Sequence, residues 1–431
     1  MSFPKYPKYK DSGVEWLGEV PEHWHHVRVK NIFAIGRGRV ISLDDANENG
    51  TYPVFSSQTT NNGCLGFIET FDFDCEQITW TTDGANAGTV FLRKGKHNCT
   101  NVCGTLQVKS AADYSLNFGL HYLSFATQFY KRPDTNGAKI MNGEMAEIAI
   151  LVPPPEEQTT IATFLDQETA KIDTLVSEQK RLIELLKEKR QAVISHAVTK
   201  GLNPEVPMKD SGVEWLGEVP EHWEVLPLKR LVSSPITDGP HETPKFIDHG
   251  VPFISAEAIS SGSIDFSKIR ACISEEDNTR YSLKYSPKLH DIYMIKSGAT
   301  TGITAIVEDR IDFNIWSPLA AIRCNSGSIP HFVLNFMRSR HFLEAVTLYW
   351  SFGTQQNIGM GVIENLFCTV PPLEEQVVIA QHLTRESAKI DTLTTEAHRA
   401  IALLQERRTA LISAAVTGQI DVRNYVNKAV L

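Results

Sequence analysis

The chain has 431 residues, a formal net charge of -9 and an isoelectric point near 5.9, with 42% hydrophobic and 22% charged residues. That length suits two domains and a connector, and the acidic balance argues against polyelectrolyte binding over the whole surface. No apolar run reaches a membrane span, residues 1–30 lack the order of a secretory signal, and seven cysteines without framework spacing read as reduced thiols, so the expected compartment is the cytoplasm.

The first recognisable segment is Lys10–Trp24, fifteen residues that return letter for letter as Lys209–Trp223. The stretch that follows it, about residues 25–152, reads as a mixed α/β insert. Gln77-Ile78-Thr79-Trp80 predicts a strand, Asp83–Gly88 a glycine turn and Thr89–Leu92 a second strand. An aromatic-rich helical pattern covers Leu120–Tyr130, and a polar turn, Thr135–Ile140, follows it.

A longer repeat opens at Pro153-Pro154-Pro155-Glu156-Glu157-Gln158 and returns at Pro371-Pro372-Leu373-Glu374-Glu375-Gln376. Proline in the first turn sacrifices no hydrogen bond, and the acids suit the positive end of a helix. Ile172, Leu175, Leu182, Leu186 and Val193 fall on a three- and four-residue beat, matched by Ile390, Leu393, Ala400, Leu404 and Leu411. Gly201 and Gly418 sit where a helix-ending glycine belongs. From Ile161 to Val198 the helix would run roughly 38 residues, or about 57 Å, which is marginal without a partner. The first helix leaves the first insert for the second, so the returning helix packs antiparallel to it, with the inserts at opposite ends.

Between the two long repeats lies a second insert, about residues 224–370, with little likeness to the first. It nevertheless has the same order: a strand at Asp291–Ile295, a glycine turn at Ser297–Gly302, a strand at Ile303–Val307, an aromatic helical pattern at Phe332–Tyr349 and a polar turn at Gly353–Ile358. The expectation is one fold with two surfaces. The fold class is therefore α+β: two mixed α/β domains separated by a long antiparallel helical coiled-coil pair, with pseudo-two-fold character. The expected boundaries are 1–152, helix 153–202, 203–370, helix 371–420 and a tail at 421–431.

Catalytic signatures are missing. Gly36-Arg37-Gly38 lacks the third glycine of a dinucleotide loop, and Ser297–Gly302 lacks the lysine and hydroxyl ending of a phosphate loop. His97, Cys99 and Cys103 have metal-ligand chemistry but no second pair at structural-zinc spacing, so no metal is expected. No nuclease acid-acid-lysine set and no Asp/Asn-Pro-Pro-aromatic segment for holding a base is present. The chain reads as non-enzymatic by itself.

Sequence-specific DNA contact needs amides and basic groups at base edges and phosphates. Thr354-Gln355-Gln356-Asn357 offers three amides in succession, and Asn136 and Lys139 hold the corresponding turn of the first insert. Arg37, Arg39, Arg93, Lys94, Lys96 and Lys296, with Thr300 and Thr301, are candidates for phosphate contact, each non-specific alone. The buried-beat residues Ile172, Leu175, Leu182, Leu186, Val193, Ile390, Leu393, Leu404 and Leu411 are candidates for helix pairing or subunit docking.

Both halves open with Lys-Asp-Ser-Gly-Val-Glu-Trp-Leu-Gly-Glu-Val-Pro-Glu-His-Trp, and both long helices are entered through Pro-Pro-X-Glu-Glu-Gln. In this the chain resembles the specificity (S) subunits of Type I restriction–modification systems, over nearly its whole length. The resemblance implies that the inserts are target recognition domains, each reading one half of a split, non-palindromic site in double-stranded DNA. It implies that the helices dock two methyltransferase (M) subunits, which use S-adenosylmethionine to methylate adenine. Restriction/translocase (R) subunits using ATP and magnesium would then join. A helical protein–protein scaffold with two ligand-binding domains is the alternative reading.

Overall fold

The structure is a computed structural model that describes residues 3–42, 50–110, 112–135, 137–349, 351–352 and 356–425, with only the backbone described at Ser351, Phe352 and Gln356. The chain forms two compact units, Met1–Lys180 with His398–Leu431, and Arg181–Ala397.

In the first unit, an antiparallel sheet has the strand order Val90–Arg93, Gln77–Thr81, Cys103–Val108, Phe33–Arg37. Gln77–Thr81 is buried along its whole length because both of its faces are covered. Ile78 and Trp80 join the main core, against Phe118, Tyr122 and Leu123 of the helix Leu116–Ala126. Ser115 caps that helix, its side chain accepting from the Phe118 amide. Gly104 lets Trp80 lie flat, since a Cβ there would sit 2.2 Å from the ring. A second, mixed sheet holds Cys64–Ile68, Tyr52–Phe55, Lys96–Cys99 and Phe73–Asp74, with its middle pair parallel.

The second unit repeats this plan. Thr304–Ile306, Ile292–Ile295, Leu319–Ile322 and Thr237–Asp238 form the antiparallel sheet in the same order. Val251–Ile254 and Asn314–Ile315 form the corresponding parallel pair, with Ala271–Ile273 beside them. The two inserts are one fold, as the matched turn positions predict. The aromatic pattern at Phe332–Tyr349 is two helices rather than one, Pro330–Met337 and Arg340–Leu348, because Ser339 stops the first and caps the second.

The long helices are Pro155–Lys200 and Leu373–Val416. In the first unit Ile161, Phe164 and Ile172 share a core with Leu411, Ala415 and Val416, and Arg408 pairs with Asp173 at 3.0 Å. In the second, Ile194 and Val198 pack with Ile379 and Leu383, and Arg190 pairs with Asp391. Within each unit one helix rises in number as the other falls, so the pairing is antiparallel. The buried seam is narrower than the beat predicts. Ile172, Leu186, Ile390 and Leu411 are buried and Val193 and Leu404 half-buried, but Leu175, Leu182 and Leu393 are exposed. Two helices bury one narrow stripe each, and a residue three positions on from a buried one lies about 60° round the axis.

The repeated motifs fasten each insert to its helix. Gln158 Oε1 accepts from the Ser115 amide at 2.8 Å while its Nε2 donates to Pro153 and Asp113 carbonyls at 2.8 and 3.2 Å. Gln376 does the same with Ile329 (2.8 Å), Pro371 (3.0 Å) and Gly327 (3.2 Å). The Trp24 indole donates to Glu157 at 3.0 Å, with His23 Nε2 2.8 Å from the other oxygen. Trp223 and His222 meet Glu375 at 3.1 and 2.9 Å. Just beyond the second long helix the Asp421 amide donates to the Pro4 carbonyl at 2.8 Å and Val422 is fully buried.

Candidate nucleic-acid interface

In each unit three segments meet at one rim of the antiparallel sheet. They are the end of its edge strand, the glycine turn after its central strand, and the polar hairpin late in the insert. In the first unit the hairpin Arg132–Asp134 with Gly137–Lys139 lies against Asp83–Gly84, pairing Lys139 with Asp83. The Ile140 amide donates to the Thr82 carbonyl at 2.8 Å. In the second, Ser297 bridges to Asn357, and the Ile358 amide donates to the Lys296 carbonyl at 2.9 Å.

Strand register therefore makes Thr82 correspond to Lys296, Asp83 to Ser297, Lys139 to Asn357 and Arg37 to Asp238. The next residues, Gly38 and Gly239, are also matched: a Cβ at either would lie 2.0 Å from a carbonyl oxygen, of Cys99 and Ile315 respectively. Only glycine permits that approach of two backbones. The frame is the same and the side chains on it differ in charge.

The cationic candidates of the first unit spread over this rim and the neighbouring sheet. Arg37 is exposed, with Nη2 3.4 Å from the Met141 sulfur. Arg39 pairs with Asp72 at 2.9 Å, Lys94 with Glu76 at 3.2 Å and Lys139 with Asp134 at 3.1 Å. Surface pairs of this kind add little stability, so a phosphate can replace the carboxylate at little cost. Lys96 is exposed, its ammonium 4.5 Å from the Phe71 ring centroid. Arg93 differs from all of these. It is 2% exposed, with its guanidinium 3.6 Å from the centroid of Phe55, and burial lowers its pKa to about 10. A group so enclosed cannot reach a phosphate: the charge run Arg93-Lys94-Gly95-Lys96 is split by a turn, with Arg93 ending one strand and facing inward while Lys94 in the turn and Lys96 at the start of the next strand are exposed.

In the second unit Lys296 turns back from the rim onto Asp238, 3.2 Å away, where Lys284 (2.6 Å) and His241 (3.0 Å) also converge. Burial alone would raise the Asp238 pKa, but hydrogen bonds from Lys284 and Lys296 outweigh it and hold the carboxyl below its ordinary range. One carboxylate facing two lysines and a histidine leaves net positive charge beside the turn. Thr301 closes that turn, its hydroxyl donating to the Gly298 carbonyl at 2.7 Å, and Thr300 is half-buried. Asn357 is exposed at the hairpin. Asn136, Thr354 and Gln355 lie outside the described residues, as does the side chain of Gln356.

Sequence reasoning missed the cluster of Asp238 and His241 with Lys284, because the lysine lies 46 residues further along the chain. It also missed the loop at residues 58–63, which Asn86 ties to the glycine turn by donating to Thr59 Oγ1 at 3.2 Å. An Asn-Asn-Gly run, here Asn61-Asn62-Gly63, is a turn signal that sequence alone carries. The ligand-type residue His97 has one ring nitrogen 2.8 Å from Gln77 Nε2 and the other 2.7 Å from the Gly95 carbonyl, and among the described residues no metal-binding group of side chains occurs. Among the described residues no helix is long and apolar enough to cross a membrane.

A family model described as the Type I restriction modification DNA specificity domain matches residues 21–185 and 220–401. A curated relative from Mycoplasma pneumoniae, described as the N-terminus of a putative type I specificity subunit, is 43% identical over 144 residues, 32% of this chain and 74% of its own length. A second from that organism is 39% identical over 165 residues, and the chain spans only 43% of it. The Type I restriction enzyme MjaVIII specificity subunit of Methanocaldococcus jannaschii is 25% identical over 429 residues, 94% of this chain and 95% of its own. Among solved structures, a chain from a study of type I R-M complex assembly aligns with a TM-score of 0.69 at 16% identity, over 92% of this chain and 98% of that one. The HsdS subunit of Thermoanaerobacter tengcongensis aligns with a TM-score of 0.53 at 17% identity, over 93% and 98%. These structural likenesses concern the fold.

Proposed function

The chain belongs to the Type I restriction modification DNA specificity family, and from that premise we propose that its two units each read one half of a bipartite, asymmetric DNA site. The observation that carries this reading is the shared rim. One strand frame presents Arg37, Asp83 and Lys139 in the first unit and Ser297 and Asn357 in the second, where the place of exposed Arg37 is taken by the buried Asp238. A single fold used twice with different polar groups at matched positions is what reading two different short motifs requires.

The long helices supply the second part of the proposal, docking of two methyltransferase subunits. Leu175 and Leu393 are matched by the long repeat and are 44% and 47% exposed; Leu185 and Leu403 are matched likewise, at 49% and 55%. Exposed leucines duplicated in both copies suit two identical partners. On this reading S-adenosylmethionine serves those methyltransferases, and ATP with magnesium serves restriction/translocase subunits that join them. The chain itself contributes target choice and no bond-making step.

Competition binding by the full chain, assembled with its methyltransferase partners, tests the proposal. Duplexes altered in one half-site at a time should each lose affinity, and variants of one unit should change the response to one half only. Binding that ignores sequence in both halves would refute it. Native mass spectrometry should give two methyltransferases per chain, and a stable one-to-one complex would refute the docking model.

A further inference from the structure

Asn61 and Asn62 are both exposed and both held in the left-handed region, at φ 49° and 51°. L-residues avoid that conformation, asparagine least of all, and two in succession need external support. Arg93 provides it from inside the unit. Its Nη1 donates to the Asn62 carbonyl at 2.8 Å and its Nε to Thr79 Oγ1 at 3.1 Å. Its Nη2 fills the space where a side chain at Gly63 would begin, 2.8 Å from that Cβ position. The Ser56 amide closes the loop by donating to the Gly63 carbonyl at 2.9 Å, and the Gln58 side chain donates through Nε2 to the Cys64 carbonyl.

The sister unit makes this arrangement informative. Register places Val307 where the first unit has Arg93, Ile254 where it has Phe55 and Tyr293 where it has Thr79. Val307, Ile254 and Tyr293 share an apolar cluster, and after Ser255 the chain forms the helix Ala256–Ile259 instead of the asparagine loop. An apolar residue therefore satisfies the fold at that site. A buried guanidinium is unfavourable unless it does something that packing does not, and what it does here is hold the Asn61–Asn62 turn.

We propose that the loop at residues 58–63 is a base-reading element, with Asn61 and Asn62 as specificity-determining residues and Arg93 as the residue that positions them. This deepens, and rests on, the reading of the first unit as a DNA-recognition domain. An asparagine carboxamide matches the N6 and N7 edge of adenine in the major groove, as a bidentate pair. The expected ligand is thus an adenine-containing motif in the half-site read by the first unit.

The test uses the full chain assembled with its methyltransferase partners and a library of random-sequence duplexes from which bound DNA is selected. The Asn61→Gly, Asn62→Gly double variant keeps the left-handed backbone open to glycine and removes only the amides. It should flatten base preference at one or two positions of one half-site by about 5- to 150-fold. The other half-site and the salt dependence should stay as they are, because no phosphate charge is lost. Arg93→Met should flatten the same positions, and Arg93→Lys should restore part of the preference. If either Arg93 variant fails to fold, the glycine pair decides the matter. Unchanged preference in the glycine variant, or an equal loss for every duplex, overturns the role of the loop while leaving recognition by the two units standing. A wild-type chain that selects no motif overturns both.

Discussion

Glu157 and Glu375 hold the same place in the two copies of the long repeat, yet their side chains are 11% and 31% exposed. Both accept from a tryptophan indole and both sit against a histidine. Among the described residues only Glu157 has more: the Tyr6 hydroxyl donates to it at 3.3 Å and Arg423 lies 3.7 Å away. Those additions come from the segments near the two chain ends, which meet in the first unit. Burial, with the Glu157 charge beside it, pushes the Tyr6 phenol well above its ordinary pKa, so it remains a donor. The comparison teaches that an identical motif fixes an interaction, whereas the surrounding chain fixes its strength.

The largest expected effect breaks this asymmetry. Glu157→Ala strands a buried indole and a buried phenol and should cost about 3 kcal/mol, against about 1 kcal/mol for Glu375→Ala. Amide hydrogen exchange in Leu116–Ala126 and Pro330–Met337 reports on each unit separately. Equal losses would mean that Tyr6 and Arg423 add nothing. Gln158→Ala and Gln376→Ala serve as the matched control, since their three hydrogen bonds are the same in both units. Each should cost about 2 kcal/mol, and a clear difference between them would undo the equivalence of the two frames.

Asn357→Ala sharpens the comparison at the rim. It should remove about 1 kcal/mol of discrimination at the second unit's half-site and leave the first unit's half-site unaffected, as read by competition between altered duplexes. Loss of discrimination in both halves would contradict the division of labour. Acid provides the smallest and most local contrast. The Asp238 pKa is depressed in the folded chain, so its ion pairs stabilise the second unit above the unfolded value of about 3.9 and are lost as pH falls through the folded one. The first unit has Arg37 at that place. Acid unfolding of Asp238→Asn should therefore show a weaker pH dependence below about pH 4 in the second unit's amides and no change in the first's.

Much of this was legible in the sequence. Exact repetition marked the Glu-His-Trp and Pro-Pro-X-Glu-Glu-Gln segments as a common device, and the turn positions gave away a common insert fold despite dissimilar residues. Side-chain direction was harder to read. Arg93 looks like one of three surface charges, because the strand that turns it inward is only Val90–Arg93 long and ends in it. The leucine beat overstated the seam, since period alone does not say how wide a stripe the partner covers. Leu175 and Leu393 are on the beat and outside the seam. The Asp238 cluster was illegible for a simpler reason: Lys284 and Lys296 reach it only through the folding of distant segments.

The central claim is that one frame used twice reads two different half-sites. Mapping methylated adenines on DNA treated with the chain assembled with methyltransferase subunits, for the wild type and for the Asn61→Gly, Asn62→Gly variant, tests it most directly. The account predicts a split, non-palindromic site whose halves lie about one helical turn apart, roughly 34–36 Å, with the variant relaxing one half alone. Methylation at a single continuous or palindromic sequence, or relaxation of both halves together, would contradict it.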